Sequence, residues 1–429
     1  MSHRDDARAI WDAAVAAARP GPLIEHFFTS DPLAKAIRSA PRVIVVGAGK
    51  AGPVMAEAVE AALPKSAGVV NVPAGTDRPL KRVRLHAARP QGVNEPTAAG
   101  VAGTEEMLKL LAEAGPDDVA VCLLSGGGSA LLPAPAVGVS LEDKLAVTRL
   151  LHRSGATIDE MNCVRKHLSR VKGGQLARAF RGKLLVSLII SDVVGDPLDV
   201  IASGPTAPDP TTFSQGVAIL DRFGLLNRVE AVANHLQRGV RGEIPETPNA
   251  IPANVVNRVI GSNRVSLDAA AREATAQGYR VLDLGSFVEG DTTQVATAGA
   301  GFVRSIRCDA KPVAAPACIL IGGETTVTLG TGSGKGGRNQ EFVLAMLAKL
   351  GRDGMAGVTV LSGGTDGEDG PTDAAGAVAD ASTFDRATLP LDDHLRRHDA
   401  YPFFNSTGDL IRCGLTGTNV MDVRIILVN

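Results

Sequence analysis

The sequence predicts an α/β fold in two domains, and three observations carry that reading. Short apolar runs rich in β-branched residues alternate with helical patterns along most of the chain. Glycines gather where the apolar runs end, at points where a backbone turns tightly or approaches a ligand. The stretch 241–253 holds Pro245, Pro248 and Pro252, a density that favours extended chain and suits a connection between domains.

The strand candidates are 42–46 (RVIVV), 119–124 (VAVCLL), 184–190 (LLVSLII), 258–260, 317–321, 358–361 and 423–428. Between them, Met55, Ala58, Val59 and Ala62 recur at helical spacing, with Pro53 near the first turn where its missing N–H costs nothing. Met107, Leu110, Leu111 and Ala114 repeat the spacing, as do Val343, Met346, Leu347 and Leu350. Strand, glycine turn and helix in succession describe parallel α/β layers rather than a sandwich or bundle. The proline-rich connection divides the chain into a domain over 1–240 and a second over 255–429, whose last strand could return to either sheet. Ligands in such sheets sit beyond the carboxyl ends of the strands, so a cleft between the domains is the expected site.

Composition narrows the partners. The 429 residues are 45% apolar and 21% charged, an ordinary globular balance. Aromatics reach only 3%, too few for a base-stacking platform, and a formal charge of −2 gives no footprint for a nucleic-acid backbone. A small molecule is the expected partner, with neither nucleic acid nor membrane. The five cysteines are scattered without a CxxC pair, which supports neither a zinc site nor a disulfide framework. The opening MSHRDDARAI has no apolar signal region, and no apolar run is long enough to cross a bilayer. Cytoplasm is the expected compartment. The oligomeric state stays open, a homo-oligomer included.

Five glycine-bearing loops can carry chemistry. Gly47-Ala48-Gly49-Lys50-Ala51-Gly52 follows a strand and opens a helix, the context of a dinucleotide fingerprint, so an NAD(P)-dependent reductase is the rival reading. Two details count against it. The run 67–72 offers Asn71 and no acid for a ribose hydroxyl. Lys50 places a compact cation where a phosphate or carboxylate would bind, although a solvated lysine is the plain alternative. Ser125-Gly126-Gly127-Gly128-Ser129 frees backbone N–H groups to converge on an anion, or simply makes a tight strand-to-helix turn. It lacks the GxSxG of a serine hydrolase.

The loop 330–341 (GTGSGKGGRNQE) fails the Walker spacing but sets Lys335, Arg338 and Asn339 at the head of a helix. An arginine there can meet the spread charge of a transferring phosphoryl group. The segment 362–373 (SGGTDGEDGPTD) supplies Asp366 and Asp369 as candidate magnesium ligands, or a solvated acidic turn. Asp192, just after run 184–190, could accept a proton from a substrate hydroxyl or hold a metal. In 162–174 (NCVRKHLSRVKGG), Arg165 and Lys166 could hold a substrate carboxylate, or form the wet face of a helix.

Taken together, VVGAGKAG, LLSGGGSALL, NCVRKHLSRVKGGQLA, SDVVGDPLDVIASGPT, IGSN, GGETTVTLGTGSGKGGRNQE, SGGTDGEDGPTDAAGA and TGTNVMD resemble the glycerate kinase family whose C-terminal part is the MOFRL domain. They run in order from about residue 43 to 422. The resemblance implies ATP-dependent phosphorylation of D-glycerate to 2-phosphoglycerate with Mg2+. It also implies two α/β domains, the first Rossmann-like, with the active site in the cleft. The family's catalytic lysine and arginine fall on Lys50 and Arg338. One departure stands out: where such proteins often carry His-Pro, this chain reads Arg89-Pro90, with His86 three residues earlier. Some relatives bear a hydroxypyruvate reductase label, which keeps NAD(P)H-dependent reduction as the alternative activity.

Overall fold

The computed structural model describes residues 2–90, 92–330 and 334–429. It divides into two compact units: Pro20–Ile260, and the residues up to Arg19 together with Gly261–Asn429.

In the unit 20–260, one six-stranded sheet is built from β1 (Val43–Ala48), β2 (Ser66–Pro73), β3 (Val83–Arg89), β4 (Val119–Leu124), β5 (Leu184–Ile190) and β6 (Val255–Gly261). Their order is β3-β2-β1-β4-β5-β6, and every pair from β3 to β5 is parallel. This is the doubly wound order, in which the strand sequence reverses direction between β1 and β4. Alternate residues of the central strands (Ile44, Val46, Cys122, Leu124, Leu185, Ile189) face one core with Met107 and Leu111 of the helix Ala98–Ala112. Both sheet faces are covered, so β1 and β4 are buried at every position and read as unbroken apolar runs.

The other unit carries β7 (Arg280–Asp283), β8 (Ala317–Gly323), β9 (Val358–Gly364), β10 (Gly376–Asp380), β11 (Leu410–Ile411) and β12 (Asp422–Val428). Their order is β11-β10-β9-β12-β8-β7. Only β7 and β8 run parallel; β12 lies antiparallel to both β8 and β9. The helix His3–Ala17 packs Ile10, Trp11 and Ala14 against Leu267, Leu361 and Ile425 in this unit. Among the described residues, no helix is long and apolar enough to cross a membrane.

The domain division drawn from sequence needs correction at both ends. The border at 255 falls inside the first sheet: β6 is its edge strand, and Leu185 N–H donates to Asn254 O at 2.9 Å. The first residues do not belong with the first sheet either, because the apolar stripe of His3–Ala17 is buried on the second. The expectation of parallel layers holds for the first sheet, while the second is mixed. A strand buried on both faces shows the same apolar run whichever way it points, so 423–428 revealed a strand but not its direction.

Candidate active site

The loops after β1 and β4 meet where the strand order reverses, the place where open α/β sheets bind ligands. Lys50 N–H donates to Gly126 O at 2.9 Å, and Ala51 N–H to Ser125 Oγ at 3.1 Å. Two glycines of the first loop are dictated by this closeness. A Cβ on Gly47 would lie 2.1 Å from Leu123 O, and one on Gly49 would lie 2.0 Å from Ser125 Oγ. Asn71, in place of an acid for a ribose, is buried and donates to Gly100 O, Thr104 Oγ1 and Leu131 O.

The structure therefore brings Gly47, Gly49, Lys50, Ser125, Gly126, Gly127, Gly128 and Ser129 together. Lys50 is exposed at the loop tip. Gly127 adopts φ +78°, and a side chain there would meet Arg89 Nη2 at 3.2 Å and Lys50 Cγ at 3.4 Å. Asp192 reaches the same turn: a Cβ on Gly126 would be 2.4 Å from its carboxylate. Ser129 Oγ is 2.9 Å from Ser203 Oγ.

Beneath the turn lies a patch rich in cations. Lys172 is buried and donates to Ser129 O (3.0 Å), Ala202 O (3.3 Å) and Ser203 Oγ (3.3 Å). Burial first, then the charges of Arg165, Lys144 and Lys166, push its pKa well down. Ala202 and Ser203 take positive φ of 51° and 61°, a conformation that costs a non-glycine residue free energy and is held by these bonds. Arg165 is half-buried and has no ion pair among the described residues. Lys166 corrects an expectation: it is buried between Asp199 (3.2 Å) and Asp209 (3.3 Å), which satisfies its charge within the fold. Lys172, Ser203 and Arg89 were missed or left unassigned as site residues, since nothing local in sequence shows what surrounds them.

In the other unit, Arg338 begins the helix Arg338–Gly354. It grips Asp422 with two bonds, Nε to Oδ2 at 2.7 Å and Nη2 to Oδ1 at 3.1 Å, while Nη1 lies 2.6 Å from Glu324. Burial alone would lower its pKa, but Asp422 and Glu324 outweigh it and the pKa rises. Asp422 also accepts from Arg424 and Asn339, both buried. Asn339 spends its amide on Asp422 and Asp369 and its oxygen on Ser362, so its expected ligand role gives way to a cross-link inside the unit. Lys335 sets its ammonium 4.2 Å from the Tyr401 ring. Residues 331–333 of the expected phosphate loop lie outside the described residues.

The magnesium pair Asp366 and Asp369 does not fit as a metal site. Asp369 is buried, and its two oxygens accept N–H bonds from Asn339 (3.0 Å) and Gln340 (2.9 Å) at the start of Arg338–Gly354. Burial raises its pKa to about 6, against the lowering effect of those N–H groups. Asp366 is half-buried and accepts from Glu368 N–H at 3.1 Å. No cluster of three His, Cys, Asp or Glu side chains suited to a metal exists among the described residues.

Known proteins share this architecture. Residues 6–237 match the family described as Domain of unknown function (DUF4147), and 317–422 match the MOFRL family. A protein of Agrobacterium vitis bearing a hydroxypyruvate reductase name is 42% identical, covering 100% of this chain and 95% of its own. The glycerate 2-kinase of Pyrococcus horikoshii is 40% identical over 90% of this chain and 87% of its own. The crystal structure of glycerate kinase from Thermotoga maritima superimposes with a TM-score of 0.90 at 34% identity, covering 100% of both chains.

Proposed function

The chain belongs to the glycerate kinase family, and we propose that it moves the γ-phosphoryl group of ATP to the 2-hydroxyl of D-glycerate, giving 2-phosphoglycerate. The observation that carries the reading is the meeting of the Lys50 loop with the Ser125–Ser129 turn at the point of strand reversal, where Asn71 replaces the acid a dinucleotide ribose would need.

The chemistry asks mainly for positioning and charge neutralisation. The glycerate oxygen attacks the γ-phosphorus, the bond to the bridging oxygen breaks, and ADP departs with that oxygen's charge. Lys50 and the free N–H groups of the Ser125–Ser129 turn would hold anionic oxygens. Asp192, against Gly126, is the proposed acceptor for the hydroxyl proton. Arg338, oriented by Asp422, would face charge on the moving group. Magnesium would arrive with the nucleotide, where it would offset phosphate charge.

The test is a paired assay on the purified protein. D-glycerate with magnesium–ATP should release ADP and 2-phosphoglycerate, identified by phosphorus NMR. Hydroxypyruvate with NADH or NADPH should leave the nucleotide unoxidised. Oxidation in the second tube without ADP in the first would overturn the reading.

A further inference from the structure

Arg89 closes β3 with a guanidinium that has no counter-ion among the described residues. The residue is 4% exposed, and its Nε is sealed from solvent without a hydrogen-bond partner among the described residues. Burial lowers its pKa, and no acid among the described residues opposes that effect. Buried Lys166 shows the usual remedy, two aspartates at its ammonium. An isolated cation in such a place is costly until an anion completes it.

Its position says where that anion sits. Arg89 Nη2 and the Lys50 stem flank the same side of Gly127, within 3.2 and 3.4 Å of a Cβ placed there. The N–H groups of Gly126 and Gly127 find no acceptor among the described residues. Two cations and two amide donors thus surround one turn.

We propose that Arg89 binds the carboxylate of the hydroxy-acid substrate through a two-point hydrogen bond, beside Lys50, and so sets the requirement for an acid. The inference rests on the glycerate reading and adds a specificity residue to it. A planar guanidinium matches a carboxylate in two parallel bonds, which a lysine cannot. The carboxylate is also the one charge glycerate carries before phosphorylation. Nucleotide phosphate offers the same acceptor chemistry, so the two sources must be separated by experiment.

Arg89→Met and Arg89→Lys are compared with the wild type for KM toward D-glycerate, KM toward ATP, and Tm. For Arg89→Met the KM for glycerate should rise ~10–100-fold, the loss of one charged hydrogen-bonding group. The KM for ATP should stay within about twofold, and Tm should hold or rise, because an uncompensated buried charge is gone. Arg89→Lys should recover only part of the glycerate affinity, and it serves as the test if the methionine variant does not fold. A rise confined to the KM for ATP would overturn the assignment by giving Arg89 to the nucleotide. A lowered Tm with both constants unchanged would overturn it in favour of a structural role. A wild type inactive on glycerate would remove the functional reading together with this proposal, whereas an active wild type with an insensitive variant removes Arg89 alone.

Discussion

Arg338 and Asp422 are joined by two parallel hydrogen bonds, from the first residue of the helix Arg338–Gly354 to the first residue of β12. The carboxylate is buried and also serves Arg424 and Asn339, so a single acid fixes three side chains. Asp422→Asn should therefore act twice. Arg424, buried with Nε and Nη1 unpartnered among the described residues, would lose its ion pair with Asp422, which costs about 3–5 kcal/mol for a broken buried pair. Arg338 would lose its fixed orientation, and kcat should fall by about 10²-fold in the protein that remains folded. Denaturant titration and steady-state kinetics report the two effects separately; unchanged kcat would detach Arg338 from the reaction.

Lys50 presents the opposite case, an exposed ammonium on a loop whose backbone is already secured to Gly126 and Ser125. Lys50→Met should leave Tm nearly unchanged while turnover drops ~10²–10³-fold, the usual loss when one charge-stabilising donor is removed. Full activity in this variant would exclude Lys50 from the chemistry.

Much of the first sheet is visible in sequence, and the reason is burial. β4 is apolar along its whole length and β5 at all but Ser187, because helices cover both faces, so their bounds can be read directly. β7 and β10 went unread: β7 is half-exposed and four residues long, and β10 is Gly-Ala-Val-Ala-Asp with no strong pattern. The same contrast runs through the site. Glycine loops at strand ends announce themselves, because the turn demands those residues. Whether a charged side chain is free or already paired is not local information. Lys166 is neutralised by residues 33 and 43 positions away, and Asp369 is committed to a helix start 30 positions back. The departure at Arg89-Pro90 shows in the sequence, but the missing counter-ion shows only in the fold.

Gly49 tests the packing of the two loops. Its φ is +157°, and an added Cβ would lie 2.0 Å from Ser125 Oγ and 2.8 Å from the Ser125 backbone nitrogen. The hydroxyl can rotate away, but the backbone cannot without moving β4. Gly49→Ala should destabilise the protein by about 1–3 kcal/mol and displace Lys50 from Gly126, lowering kcat as well. Chemical denaturation should detect the first effect, and a variant as stable as the wild type would mean the loops are less tightly joined.

Asp369 separates a metal ligand from a helix anchor. Its oxygens receive the N–H groups of Asn339 and Gln340, donors that the first turn of a helix otherwise leaves unpaired. Asp369→Asn should cost about 0.5–2 kcal/mol of stability, in the range of losing such a cap. The magnesium concentration giving half-maximal activity should not move. A large increase in that concentration with unaltered stability would return Asp369 to the metal.

Lys144 gives the fold a pH dependence whose sign can be worked out. The residue is 7% exposed, its Nζ has no hydrogen-bond partner among the described residues, and burial, then the charge of Arg165, bring its pKa down to about 7. In the unfolded chain a lysine titrates near ~10.4. Below pH 7 both states carry the proton, and the native state bears the whole penalty of a buried, unpaired ammonium. Between about pH 7 and 10 the unfolded state binds the proton and the native state does not, so stability rises with pH by up to about 1.4 kcal/mol per unit from this group. Above that window both forms are neutral and the penalty has vanished. Lys144→Met removes the ammonium while keeping the chain's length, so it should stabilise most at pH 6 and progressively less toward pH 9. Melting curves of the two proteins across that range decide the matter: a stability gap that does not narrow with rising pH would show that the Lys144 charge is compensated in the native state.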